Sequence, residues 1–182
     1  KLLTDTRLQQ MEMAGYRGVL ELAAASGDQA KLEKTWSNLP KAQQIDAATI
    51  ILYIDLMNRH KWQSNGVDQL IVKSLEKQWD DRLIEAYGCF HAANPNVQLA
   101  RAEKWEEDFG HNENLLLALG RIAIRARLWG KAQGYLEASI GVRATPAACL
   151  ALAELYEQQL QQADKAAELY QRGLKLSLAP SH

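Results

Sequence analysis

Three side chains with hydrogen-bonding groups lie on one predicted helical stripe in the middle of the chain. Asn114, Arg121 and Arg125 follow each other at intervals of seven and four residues, nearly two turns and slightly more than one turn of an α-helix. Two guanidinium groups on one wall suit a carboxylate, because each presents a planar fork of N–H donors. The alternative is that these arginines are solvated or pair with glutamates of a neighbouring element. The stripe predicts anion binding.

The sequence shows no pattern that is typical of an enzyme or a metal site. Its four histidines are scattered and form neither an HExxH motif nor a pair at helical spacing with another ligand type. Cys89 and Cys149 lie sixty residues apart without a CxxC motif, which favours two reduced thiols. A glycine-rich phosphate loop and a nucleophile elbow are both absent from the sequence. We expect a non-catalytic protein with no catalytic residues, no cofactor and no metal.

A repeated pair of small residues predicts the helices that position this stripe. The two residues of the first pair are twelve apart, and so are those of the second pair, which lies 32 residues further along the chain. In the third pair the first residue lies 33 and the second residue 34 positions after its counterpart in the second pair. The pairs are Gly88 with Ala100, Gly120 with Ala132, and Ala153 with Ala166. A period near 34 built of two helices resembles a tetratricopeptide (TPR) array. In such an array the small residue on the first helix admits the second helix, whose own small residue faces it.

Turn-forming residues divide the whole chain into about ten predicted helices, or five hairpins. The first predicted helix, from about Leu3 to Ala25, is longer than a TPR helix. Further along, Thr145 is predicted to be an N-cap and Pro146 the first residue of the helix that follows. The predicted breaks are Gly27-Asp28, Leu39-Pro40, Asn65-Gly66, Asn94-Pro95, Gly110-His111-Asn112, Gly130, Thr145-Pro146 and Ala179-Pro180. We therefore predict an all-α, TPR-like superhelical array of antiparallel hairpins that forms a single domain over residues 1–182.

Composition restricts the class of partner. The 182 residues are 47% hydrophobic and carry a net charge of -1, which gives no reason to expect nucleic acid as the main ligand. The longest apolar run is far shorter than the roughly 20 residues of a membrane-spanning helix. The chain begins at Lys1 without an initiator methionine, so we expect a fragment of a longer protein.

Several short sequence words resemble the HemY family of bacterial haem biosynthesis. The resemblance is strongest between about residues 75 and 178, and an upstream segment with Trp36, Leu39 and Pro40 looks like the W..LP segment of that family. The words are WDDRL (79–83), YG (87–88), NP (94–95), QLARAEKW (98–105), LLLALGR (115–121), LWGKA (128–132) and YLEAS (135–139). The resemblance implies the C-terminal TPR region of a protein that N-terminal helices anchor in the bacterial inner membrane, with the repeats on the cytoplasmic side.

The implied function is a protein-interaction scaffold that assists a late step of protohaem synthesis by docking pathway enzymes in a concave groove. TPR architecture places helix-A side chains in that groove, here Arg82, Glu85, Cys89, Asn114, Leu117, Arg121 and Arg125. Their guanidinium groups suit the C-terminal carboxylate of a peptide or the propionate of a porphyrin. Two alternatives follow: a tetrapyrrole-binding carrier, or a TPR adaptor that is unrelated to haem.

Overall fold

The computed structural model describes residues 2–63, 66–110 and 112–179, which form eleven α-helices and no β-strand. The helices are α1 (Leu2–Ala25), α2 (Gln29–Ser37), α3 (Lys41–Gln44), α4 (Ala47–Arg59), α5 (Val67–Lys77), α6 (Asp81–Cys89), α7 (Pro95–Phe109), α8 (Glu113–Arg125), α9 (Trp129–Val142), α10 (Pro146–Gln158) and α11 (Ala163–Leu178). The predicted all-α class is confirmed, and α1 matches the long first helix expected from the sequence.

Polar N-caps start three helices at residues where the sequence predicted turns. The side chains of Asn94, Asn112 and Thr145 accept hydrogen bonds from backbone N–H groups in the first turns of α7, α8 and α10. Pro95 and Pro146 follow directly as first helical residues, where the missing N–H of proline costs no hydrogen bond. Local sequence chemistry therefore fixes where these three helices begin.

The break predicted at Gly130 was wrong, because Gly130 lies in the first turn of α9. The chain leaves α8 through Arg127, which has a φ of 59°, and the N–H of Leu128 then bonds the carbonyl of Ala123 at 2.9 Å. This arrangement closes the last turn of α8 in the manner usually associated with glycine. Because arginine rarely adopts a positive φ, Arg127 gave no sign in the sequence that α8 ends there.

The contacts of the chain fall into two compact units, Lys1–Ala86 and Tyr87–His182, and the division lies inside α6. In unit 1, α1 packs on α2 and α4, and α4 packs on α5. The rings of Trp36 and Tyr53 approach to 4.3 Å between centroids, and the amide of Gln44 donates to three carbonyls at the end of α2. The fully buried core of unit 1 includes Leu20, Leu32, Ile50, Ile54, Met57 and Ile71.

Unit 2 is built of TPR-like helical hairpins. Helices α8 and α9 form one hairpin and α10 and α11 the next, with α7 packed on α8 and α10 packed on α9. The two hairpins share one contact: in each, a residue of the second helix lies next to the carbonyl of the first residue of the first helix. Ser139 Oγ donates to the carbonyl of Glu113 at 2.9 Å, and a Cβ on Gly173 would lie 3.5 Å from the carbonyl oxygen of Pro146. The shifts of 33 and 34 residues between these positions agree with the predicted period.

Two glycines let helices of unit 2 approach closely, although their neighbours differ from those predicted. A Cβ on Gly120 would lie 2.6 Å from Cγ of Leu136 on α9, so Leu136 rather than Ala132 is the nearest residue across the hairpin. A Cβ on Gly88 would lie 2.7 Å from Cα of Ala118, so Gly88 admits α8 rather than its own partner helix α7. Helix α8 is therefore held closely on two sides.

We predict that Gly88→Ala destabilises unit 2. The nearest atom is backbone of a neighbouring helix, and overpacking of this kind costs about 1–3 kcal/mol. Because the contact would be as short as 2.7 Å and involves backbone, we expect a cost above the low end of this range and so above the gain of about 1 kcal/mol that alanine brings to an unhindered helical position. Gly134→Ala is the matched control, because nothing lies within 4 Å of a Cβ there.

The measurement is urea unfolding followed by far-ultraviolet circular dichroism. Gly134→Ala should leave stability unchanged or raise it by up to about 1 kcal/mol. A Gly88→Ala variant as stable as Gly134→Ala would show that α8 is not closely packed at Ala118.

Candidate functional site

Helix α8 carries two arginines into a cleft beside α10. Arg121 and Arg125 are one turn apart near the C-terminal end of α8, so their side chains leave the same face of the helix. The cleft has a volume of about 200 Å³. Its lining includes His91, Arg121, Arg125, Ala147, Leu150 and Glu154. The structure thus brings together the two arginines that the sequence singled out for anion binding.

The guanidinium groups contact a cysteine sulfur and an amide oxygen. Arg121 Nη1 lies 3.2 Å from Cys89 Sγ, and Arg125 Nη2 lies 3.5 Å from Gln98 Oε1. Arg125 Nε is buried and has no hydrogen-bond partner in the described part of the chain. Neither arginine forms an ion pair with a carboxylate of the described residues, although Glu154 lines the same cleft. The predicted alternative of pairing with a neighbouring glutamate is therefore not seen in residues 2–63, 66–110 and 112–179.

Burial makes the charge of Arg125 costly. It lowers the pKa of Arg125 to about 10; the electrostatic effect of Cys89 opposes this shift, and the charge of Arg121 adds to it. The guanidinium still carries its proton at neutral pH, with less solvation than an exposed arginine. A bound anion would favour this charged form, which gives the cleft a physical reason to attract a carboxylate.

His91 adds a polar but neutral group to the cleft. Burial lowers the pKa of His91 below its ordinary value, and the charge of Arg125 lowers it further. The imidazole is therefore mostly uncharged at pH 7, and the neutral form has one nitrogen that donates and one that accepts. Two cations and one carboxylate remain as the charged groups among the described lining residues.

Gln98 is a buried hydrogen-bond partner of Arg125 and was not among the predicted site residues. Its side chain is fully buried, and Nε2 donates to the carbonyls of Tyr87 at 2.9 Å and Phe90 at 3.2 Å. The hydroxyl of Tyr87 donates back to the carbonyl of Gln98 at 3.3 Å. The amide thus ties α7 to the end of α6 while its oxygen faces Arg125.

The sequence contains a pattern that predicts the buried position of Gln98. Gln98, Ala102 and Trp105 follow the i, i+4, i+7 spacing of a buried helical stripe, and all three are buried in the structure. An amide in such a stripe must find partners inside the protein, because an unpaired buried amide is costly. His91 and Glu154 gave no comparable signal.

The other residues predicted for the groove occupy different surroundings. Arg82 and Glu85 belong to the part of α6 in unit 1, and Arg82 Nη2 lies 2.7 Å from Asp80 Oδ2 on an exposed surface. Asn114 is half-buried in the first turn of α8. Leu117 is 5% exposed and belongs to the core. Of the residues predicted for the groove, Arg121 and Arg125 therefore line the cleft in unit 2, and Cys89 contacts Arg121.

Comparisons with known proteins leave the family open. No family model and no curated protein matches the sequence. A solved structure described as "MamA MSR-1 C2" aligns with 92% of this chain and 97% of its own, at 14% identity and a TM-score of 0.45. A likeness of this size carries no weight for function, and the TPR-like assignment rests on the hairpins of the chain itself. These comparisons do not show the HemY family.

No group of three or more His, Cys, Asp and Glu side chains within residues 2–63, 66–110 and 112–179 is placed to hold a metal ion. Among the helices described, none combines the length and the apolar content that crossing a bilayer requires.

We predict that His91 titrates below 6.5, its ordinary value. Because the folded pKa is below the unfolded one, the unfolded chain binds the proton first, and this group lowers stability as the pH falls from about 6.5. Nuclear magnetic resonance (NMR) titration of the imidazole measures the folded pKa. Arg125→Gln should raise it only in part, because burial is the larger cause.

Arg172→Gln, on α11, is the control and should leave the pKa of His91 where it was. A value of 6.5 or above in the unchanged protein would contradict the partial desolvation of His91 beside Arg125.

Proposed function

We propose that the chain is a non-catalytic protein-interaction module that holds a carboxylate of a protein partner in the cleft between α8 and α10. The observation that carries this proposal is that Arg121 and Arg125 share one cleft while their contacts are a thiol and an amide. A guanidinium offers five N–H donors, and the contacts in the structure use few of them. The remaining donors suit the two oxygens of a carboxylate.

The size and lining of the cleft favour a peptide group over a larger ligand. Its volume of about 200 Å³ is below the roughly 300–1,000 Å³ of pockets that enclose small molecules. A carboxylate with a short stretch of chain fits this space, whereas a tetrapyrrole would extend beyond it. Ala147, Leu150 and Ala151 give the α10 wall an apolar surface that a peptide side chain can contact.

The haem-related function of this module remains part of the proposal. It is supported by the resemblance of sequence words such as LWGKA and YLEAS to the HemY family. We propose on that basis that the partners are late haem-biosynthesis enzymes, and that further helices anchor the protein in the bacterial inner membrane with this region on the cytoplasmic side. The carrier hypothesis predicts instead a shift of the Soret band when porphyrin is titrated into the protein alone.

We predict that Arg121→Glu weakens partner binding about 10- to 100-fold. A hydrogen bond to a charged group contributes about 1.5–3 kcal/mol, and reversal adds repulsion against a carboxylate. The measurement is quantitative affinity capture after crosslinking in the host cell, comparing the unchanged protein with the variant. Arg172→Glu removes an arginine of the same unit outside the cleft and should retain the partners.

The outcomes separate the function from the pathway. Equal recovery of partners by Arg121→Glu and the unchanged protein would remove the cleft from the proposed function. Arginine-dependent capture of proteins outside haem synthesis would keep the binding module and discard the haem-related function.

A further inference from the structure

A second cleft lies on the other side of α10, between α10 and α11. It has a volume of about 290 Å³ and an apolar lining that includes Leu169, Gly173 and Leu174. Ala147 and Leu150 line this cleft and also the cationic cleft beside α8. Leu150 thus forms a ridge with two guanidinium groups on one side and an apolar cleft on the other.

Comparison of equivalent positions in the two repeats indicates that the exposed face of α10 beside the second cleft resembles a packing surface. Leu117 occupies the position of Leu150 one repeat earlier and is 5% exposed, whereas Leu150 is 49% exposed. Leu174 is 62% exposed. Gly173 replaces Ser139 of the preceding hairpin, so the floor of the second cleft has no side chain at that point. Exposed leucines around a cleft whose floor includes bare glycine backbone offer a site for one large apolar side chain.

The shared ridge links the two clefts into one surface. A ligand that contacts Leu150 from the apolar cleft has the cationic cleft on the other side of that side chain. A helix with its side chains is about 10 Å wide, and an extended peptide advances about 3.3–3.6 Å per residue. A peptide that crosses α10 over Leu150 therefore needs about three residues to pass from one cleft to the other.

We propose that the partner segment is an extended peptide with an acidic group and a large apolar side chain about three residues apart. The acidic group binds Arg121 and Arg125, and the apolar side chain enters the cleft between α10 and α11. Charge complementarity fixes the first position, because the described lining of the cationic cleft holds two arginines and one glutamate. This inference rests on the proposed function and specifies the chemistry of its partner.

The test is selection of random dodecapeptides on the whole chain, displayed once with a free C-terminus and once at an internal position. The two formats distinguish a terminal carboxylate from an Asp or Glu side chain. We expect enriched sequences with an acidic group and a Leu, Ile, Met or Phe about three residues apart. Synthetic peptides from the selection are then measured against variants by fluorescence anisotropy.

The variants separate the two clefts. Leu174→Asp should weaken an enriched peptide about tenfold or more, and the same loss should follow from replacing the apolar residue of the peptide by alanine. Those two changes together should cost little more than either alone, since they remove the same contact. Val97→Asp is the control, because Val97 on α7 is 50% exposed and lies outside both clefts.

Each result has a separate consequence. Acid-dependent binding that Arg121→Gln abolishes but Leu174→Asp leaves unchanged overturns this inference and leaves the proposed function standing. Absence of enrichment, or binding that is indifferent to Arg121→Gln, counts against both. Enrichment of amphipathic helical sequences without an acidic group would identify the apolar cleft as a site for a helix and would overturn the peptide of mixed character.

Discussion

Close packing on two sides of α8 is the constraint on which unit 2 depends. Gly120 leaves no room for a side chain against Leu136, and Ala118 lies where a side chain on Gly88 would have to go. Helix α8 is thereby fixed against α9 on one side and the end of α6 on the other. Eight of its residues are buried as a result. The stripe that is left carries Arg121 and Arg125, so the packing that orders the hairpins also decides which side chains a ligand can reach.

The polar groups around this stripe prepare it for an anion without neutralising it. Gln98 donates its amide N–H groups to carbonyls at the end of α6, and its oxygen accepts from Arg125 over a long contact of 3.5 Å. Arg121 approaches a thiol rather than a carboxylate. Burial reduces the solvation of Arg125, and the lowered pKa of His91 keeps most of its imidazole neutral at pH 7. Charge that is fixed in place and little solvated gains most from an incoming carboxylate, because the cost of ordering it has already been met in folding.

Local chemistry in the sequence predicted the helices well, and long-range packing was beyond it. Asn94-Pro95 and Thr145-Pro146 start helices because caps and first-turn prolines act within a few residues. The turn predicted at Gly130 was misplaced, since Arg127 adopts the left-handed conformation that a glycine would normally supply. The small-residue pairs predicted close approach but not its partners, because spacing along one helix does not reveal which neighbour faces it. The cationic stripe followed from helical periodicity, whereas the cleft itself depends on α10, from a repeat further along the chain.

The assignment of Arg121 and Arg125 to carboxylate binding is tested most directly by NMR of their Nε–Hε groups. The probe is acetate, titrated at constant ionic strength, with chloride as the reference anion. We expect the signals of Arg121 and Arg125 to shift together and to saturate with acetate, while Arg172 on α11 shows no saturable shift. Signals of the two arginines that follow chloride and acetate alike, or that move no more than Arg172, would contradict a carboxylate site between α8 and α10.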